Sequence, residues 1–453
     1  MAQNPVILVH GYSDQGPSFK PWADQLASHG YPGTYHICTY RSLVNHLTIK
    51  DIAEGFERAL CAKIGPDQPF DAIVHSTGML VIRSWLIANK ARLRRLKRLI
   101  GLAPATFGSP LAQPGRSFIG ALVRGNKDLG PDFLSAGAQV LDGLELASRM
   151  TWDLSQQDLF GGMSYYGPEE HTPYVFIFIG KEAYGGLRSA VNRPGTDGTV
   201  RWAGCSLTSR KVTLDFTRPE NGSQHIEIQN WTHEDMPALF VDKVNHGTIL
   251  SDPPPELVGA VVGILSEVRD DASFQNQRTL LSQRFAPEGL DQWQQFVVHA
   301  VDERGDSIPD YNLELYAGEE SLAEFEMDVD TYSGDHSYRC FHVNLSRLKP
   351  DSVKSLGLRL IAATGSNYVG YRGYQGAVLL PEAEGSKAQG GMWMGELDLT
   401  PLVREGVAPV GGEKDQVKKD KVKFFCPYTT TLIELRLDRQ PLPLEGPNDV
   451  CWF

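Results

Sequence analysis

Apolar residues follow two rhythms along this chain, and the change between them divides it. Residues 5–9, "PVILV", contain no polar position, the pattern of a short strand buried on both faces. "FKPWADQLASHGY" then carries its apolar residues at helical spacing and stops at a glycine, "TYHICTY" reads as a strand, and "TIKDIAEGFERALCAKIG" reads as an amphipathic helix. "DAIVHS" predicts the next strand, "GMLVIRSWLIANKARL" the next helix and "RLIGLAPA" the strand after it. Such alternation predicts an α/β fold with a mostly parallel sheet covered by helices, because parallel neighbours need a crossover between them.

From about Phe107 to Pro173 the alternation is interrupted by an insertion that reads as helix and loop. "YVFIFIG" at 174–180 restores a buried strand. A glycine-rich loop, "GGLRSAVNRPGTDGTVRWAG", follows it, then the extended runs "KVTLDF" and "HIEIQNW" and a proline-entered helix, "PPPELVGAVVGILSEV". Near residues 268–285 the rhythm changes to short alternating runs such as "WQQFVVHAVDERG", "YRCFHVNL" and "TTLIELRL". The expected division is an α/β domain over 1–275 and an all-β sandwich, with antiparallel strands, over 285–453.

Composition adds limits rather than detail. Of 453 residues, 41% are apolar and 22% charged, so the chain folds and buries a large core. A net charge of −12 argues against nucleic acid as the main partner, since phosphate binding draws on clustered Lys and Arg. Six scattered cysteines form no CxxC pair and read as buried thiols. The opening "MAQNPVILVHGY" has neither the basic nor the apolar region of a secretory signal, and no run is long enough to cross a membrane. A cytoplasmic location is the default expectation, with leaderless secretion as the other route.

Candidate chemistry begins at Ser76. A serine hydroxyl attacks a carbonyl at neutral pH only when a neighbouring base takes its proton, so it must be presented at a sharp turn. Ser76 ends the strand "DAIVH", opens a helix, and has Gly78 two residues on, where unusual backbone angles and close packing are needed. "VHSTG" resembles the G-x-S-x-G elbow of the α/β-hydrolase superfamily. Val74 replaces the first glycine and Met79 stands where many lipases carry another, so the elbow should pack against a smaller neighbour than usual.

Other stretches carry the same resemblance over residues 5–268. "VILVHGYSD" is similar to the superfamily's oxyanion loop, which implies that the backbone N–H of Tyr12, with Ser13 as runner-up, and of Thr77 receive the oxyanion. "TDGTV" is similar to the acid loop of lecithin-cholesterol acyltransferase-like and related lipases, which implies Asp197 as the triad acid rather than Asp142 in the insertion. "VNHGTIL" places His246 where the superfamily carries its base, ahead of His225 and His233. His10, Gly11 and His75 are candidate substrate contacts. The implied function is a carboxylic ester hydrolase of lipase or phospholipase type, acting by Ser-His-Asp acyl transfer without a cofactor or metal.

"APATFGSPLA" also resembles a stretch common in lipases, and the insertion occupies the place of a lipase lid. Its apolar residues, among them Phe118, Leu122, Leu134, Val140 and Leu144, fit either an acyl pocket or the packing face of covering helices. The basic run "KARLRRLKR" reads as an exposed helix end or as a contact for anionic lipid headgroups at a membrane surface. Asp302, Asp306 and Asp310 match no EF-hand spacing and read as an acidic turn. Two rival readings remain: a leaderless lipase effector that attacks membranes, and a binding protein that uses the β domain on a hydrolase-like scaffold.

Overall fold

The computed structural model describes residues 3–12, 16–113, 137–168, 171–217, 226–233, 236, 238–317, 320–321, 326–348, 355–373, 376–379, 392–400, 424–443, 448 and 450–452. The chain divides into two compact units. One holds residues 1–209 and 232–291, the other 210–231 and 292–453.

The first unit is built on strands β1 (Val6–Val9), β2 (Tyr35–Cys38), β3 (Phe70–His75), β4 (Leu96–Leu102) and β5 (Tyr174–Gly180). The chain then forms β6 (Ser209–Asp215) and β7 (Ile226–Ile228), which pair with strands of the second unit, and returns as β8 (Ala238–Val241). The sheet order is β2-β1-β3-β4-β5-β8, and every pair in it is parallel. β1, β3 and β5 are buried almost throughout, as their unbroken apolar runs require.

The order reverses at β1: the chain steps outward to β2 and then returns to the other side of β1 as β3. Loops that leave a sheet at such a switch diverge and open a crevice at the carboxyl ends of the strands. Val9 is in register with Val74, so the chain beyond β1 runs abreast of the chain beyond β3.

Two helices set this corner. Helix α1 (Ile49–Ile64) starts with a reciprocal cap in which Thr48 Oγ1 accepts from Asp51 N–H while Asp51 accepts from Thr48 N–H. Helix α2 (Gly78–Ala88) is buried along most of its length and begins against β1, where a Cβ on Gly78 would lie 2.6 Å from Val9 O. The two departures from the glycine elbow also find their room here. Val74 is in register with Gly101 on β4, and a Cβ on Gly101 would lie 3.2 Å from Met79 Cε.

Half of the basic run is consumed inside the fold, while Lys90 and Arg94 are exposed. Arg92 pairs with Glu54 at 2.9 Å and Arg95 with Glu57 at 2.9 Å, both on α1, while Arg98 pairs with the buried Asp71 on β3. Arg98 also donates to Val268 O at 3.0 Å, tying the end of helix Pro255–Glu267 to the sheet.

Within the insertion, helices Ala138–Leu144 and Arg149–Asp158 are separated by Ser148, whose hydroxyl accepts from Thr151 N–H and starts the second. A Cβ on Gly143 would lie 3.1 Å from Ile49 Cδ1, so the first helix rests closely on α1. The second is anchored by a fully buried ion pair, Asp158 with Arg83 of α2, to which Tyr166 Oη donates at 2.6 Å. Phe118, Leu122 and Leu134 lie outside the described residues. Helix Asp271–Arg284 was not signalled by periodicity, because only Phe274 and Leu281 on it are buried; its start is the reciprocal Asp270–Ser273 cap.

Among the described residues, the second unit contains two sheets around one apolar core. One contains β9 (Trp293–Asp302), β12 (Met327–Thr331), β13 (Tyr338–Asn344) and β18 (Thr430–Pro441), together with β6 and β7, and β15 (Val369–Arg372) pairs antiparallel with β18. The other contains β10 (Tyr311–Ala317), β11 (Glu320–Ser321), β14 (Gly357–Ala363), β16 (Gly376–Leu379) and β17 (Met392–Asp398). Burial alternates along β17, where Trp393, Gly395 and Leu397 point inward, whereas β9 is buried almost throughout. The expectation of an antiparallel sandwich needs one correction: β18 lies parallel to β9, with Thr430 in register with Gln295. Asp302 accepts from the N–H groups of Arg304 at 3.0 Å and Asp306 at 2.9 Å, which makes its segment the acidic turn expected.

Candidate active site

Ser76 occupies the turn between β3 and α2 with φ +52°, a left-handed angle that costs a residue with a Cβ about 1–3 kcal/mol. The turn is held by its surroundings. Ser76 N–H donates to Leu102 O at 3.3 Å, Ser76 O accepts from Ala105 N–H at 3.1 Å, and Gly78 lets the helix close on β1. Gly11 sits abreast of the serine, where a Cβ would fall 2.9 Å from Ser76 Cβ and 3.4 Å from Oγ. Thr77 is fully buried at the helix start, where the first N–H groups have no partner within the helix.

Asp197 and His246 meet across loops that follow β5 and β8. His246 Nδ1 lies 2.9 Å from Asp197 Oδ2, and His246 N–H donates to Asp197 O at 2.9 Å. The other carboxylate oxygen accepts from Thr199 N–H at 3.0 Å and Val200 N–H at 2.8 Å, so the acid is locked by its own turn. Asp197 is completely buried and His246 nearly so. The turn needs glycine next in line: Gly198 has φ +99°, and a Cβ there would lie 2.6 Å from the Tyr184 ring.

His75, beside the serine, reaches the same loop. Its Nε2 lies 2.9 Å from His246 O, and the two imidazole centres are 4.7 Å apart. A carbonyl only accepts, so Nε2 carries the proton. Burial, with the nearby His246, holds His75 well below the ordinary imidazole range, which leaves it neutral. His10 is fully buried in a backbone clasp. Its Nε2 accepts from Tyr40 N–H at 3.1 Å, its Nδ1 lies 2.8 Å from Gly11 O, and its ring stacks on Tyr40 at 4.1 Å. Tyr12 follows in the same loop, its ring against Gly137, whose Cβ would lie 3.0 Å from Tyr12 Cε2.

Ser76, Gly11 and His75 thus form one group, and His246 and Asp197 another that His75 touches. The rivals stand elsewhere. Asp142 is exposed on its helix, and His233 packs edge-on to Tyr166 at 5.5 Å. Ser13 and His225 lie outside the described residues.

Several supporting residues escaped the sequence reading. Tyr184 packs on Gly198 and bonds Thr199 Oγ1 at 2.7 Å; burial pushes its hydroxyl up to about 12. Ser109, in the stretch "APATFGSPLA", donates to Thr199 O at 2.7 Å and so braces the acid turn. Asn245 accepts from Gly247 and Thr248 N–H, both at 3.0 Å, while Thr248 Oγ1 accepts from Asn245 N–H at 2.8 Å. Only this last pair had a local signal, the N-x-x-T spacing of a helix start.

Comparison of the sequence with protein-family models and with curated proteins returns no match. Among solved structures, phospholipase PlaB from Legionella pneumophila superposes with a TM-score of 0.74 at 20% identity, over 99% of this chain and 97% of that one. The same phospholipase in complex with thio-NAD gives a TM-score of 0.74 at 21% identity, over 99% and 97%. The likeness is one of fold: an α/β-hydrolase sheet with its helices, followed by a separate β-rich region. Among the described residues, no helix is long and apolar enough to cross a membrane.

Proposed function

We propose that this chain is a serine hydrolase of lipid carboxylic esters, with phospholipids as the leading substrate class. The reading rests chiefly on the buried Asp197–His246 pair, which stands in the order and on the loops that serve a serine presented at a strained strand-to-helix turn. The phospholipid preference draws on the neighbour that shares the fold from end to end.

In this reading the Ser76 hydroxyl attacks the ester carbonyl while His246 Nε2 takes its proton, and Asp197 holds the imidazole tautomer and offsets the imidazolium charge. The carbonyl oxygen becomes an oxyanion in the backbone N–H groups of Tyr12 and Thr77, next to the positive end of α2. Collapse expels the alcohol with the proton from His246 and leaves an acyl-Ser76 ester. Water, deprotonated by His246, then releases the fatty acid. Gly11, having no Cβ, keeps the space beside the nucleophile open.

The test is covalent. A fluorophosphonate probe should label the wild-type chain on Ser76 and leave Ser76→Ala unlabelled, and the variant should release no fatty acid from vesicles of phosphatidylcholine or phosphatidylglycerol. An adduct on another residue, or undiminished hydrolysis by Ser76→Ala, overturns the mechanism. Turnover of triacylglycerol or p-nitrophenyl esters with none of either phospholipid overturns the preference alone.

A further inference from the structure

His75 stands where three loops of the site converge. It is the last residue of β3, so its backbone is covalently tied to the strained Ser76. Its imidazole Nε2–H donates to the carbonyl of His246 at 2.9 Å. On its other edge lies the loop after β1, where a Cβ on Gly11 would fall 3.2 Å from Nδ1. The ring is buried, and it meets His246 both through this bond and ring against ring, with centres 4.7 Å apart.

His246 itself is gripped at three atoms. Its N–H donates to Asp197 O, its Nδ1 pairs with Asp197 Oδ2, and its carbonyl accepts from His75. The first two bonds orient the imidazole relative to the acid and carry no information about the serine. The third alone runs from the base's backbone to the residue bonded to the nucleophile. Proton transfer demands a base within hydrogen-bond reach of the hydroxyl, and an error of 1 Å in such an arrangement costs about 10²-fold in rate.

We propose that His75 is a positioning residue that sets the nucleophile-to-base spacing: its Nε2–H bond ties the His246 loop to the Ser76 turn. Rather than contacting substrate, the side chain couples two loops through a bond between residues 171 positions apart in sequence. Its neutrality suits the task, because a second imidazolium beside His246 would oppose the charge that develops there during attack.

The inference rests on the assignment of Ser76 and His246 given above, and the experiment separates the two. Three variants are compared: His75→Gln, whose amide nitrogen falls near the Nε2 position; His75→Asn, whose nitrogen reaches only as far as Nδ1; and His75→Leu, which has no donor. For hydrolysis of a short-chain p-nitrophenyl ester, His75→Asn and His75→Leu should lose about 10- to 100-fold in kcat with KM changed less than about twofold. Fluorophosphonate labelling of Ser76 should slow in parallel, and His75→Gln should recover most of both rates. A folded His75→Asn or His75→Leu with kcat within about twofold of wild type overturns the proposal. So does a loss carried by KM, which assigns His75 to substrate binding, or a His75→Gln no faster than His75→Asn. If His75→Leu does not fold, the Asn and Gln pair decides alone. Labelling of wild type at a residue other than Ser76 defeats the underlying assignment instead, whatever the variants do.

Discussion

Gly11 lies so close to Ser76 that a Cβ on the glycine would sit 2.9 Å from the Cβ of the serine. The contact follows from sheet register, since Val9 faces Val74 and each chain advances two residues beyond that pair. In the proposed mechanism the backbone at Gly11 is the surface over which the ester approaches.

Gly11→Ala should cut kcat/KM by about 10²-fold, because the new methyl displaces the hydroxyl or the loop that opposes it. Ester hydrolysis, with circular dichroism as a check on folding, measures this. Activity within about threefold of wild type would mean that the approach lies elsewhere.

Asp197→Asn keeps the shape of the acid but presents the wrong tautomer to His246, whose Nδ1 lies 2.9 Å from Oδ2. The expected loss is about 10⁴-fold in kcat, with fluorophosphonate labelling slowed to match. A loss below about tenfold would remove Asp197 from the triad.

Arg83 and Asp158 form an ion pair with both side chains fully buried, and Tyr166 Oη also donates to the acid. Asp158→Ala leaves the guanidinium in the interior without its counter-charge and should cost about 3–5 kcal/mol in urea unfolding. The double change Arg83→Met with Asp158→Leu should cost less than that single change, since no charge is then left behind.

His75 also gives stability a pH dependence of known sign. Burial holds it well below the ordinary imidazole range, whereas in the unfolded chain it titrates near about 6.5. Above that pH its contribution is complete. As pH falls below it, the unfolded chain takes up a proton that the folded one refuses, and stability drops by up to about 1.4 kcal/mol per pH unit until the folded value is reached. The wild-type Tm should therefore fall more steeply than that of His75→Gln between about pH 6.5 and 5; parallel curves would contradict a depressed His75.

Gly101→Ala should destabilise by about 1–3 kcal/mol, because its Cβ would meet Ile177 Cδ1 at 2.9 Å, Pro104 Cγ at 3.0 Å and Met79 Cε at 3.2 Å. Met79→Ala should cost less in the Gly101→Ala chain than in the wild type, because part of the space it vacates is taken by the new methyl, read from denaturant midpoints in a double-mutant cycle.

Local pattern alone was enough for most strands and helices of the α/β part, because burial on both faces writes unbroken apolar runs at β1, β3 and β5, and amphipathic packing writes the spacing of α1. The Ser76 turn was legible for the same reason: a strand end, a helix start and Gly78 are neighbours in the chain. Helix Asp271–Arg284 was not legible, since two buried residues leave no stripe. What required the tertiary structure was every relation between distant segments. Arg92, Arg95 and Arg98 of the basic run find their carboxylates on α1 and β3, β6 and β7 leave the first unit to join the second, and β18 adds to β9 in parallel. The site obeys the same division. Residue types and their order single out Ser76, Asp197 and His246 as candidates, but the hydrogen bond from His75 to the His246 carbonyl and the press of Gly11 on Ser76 depend on sheet register and loop approach, which periodicity along one segment does not encode.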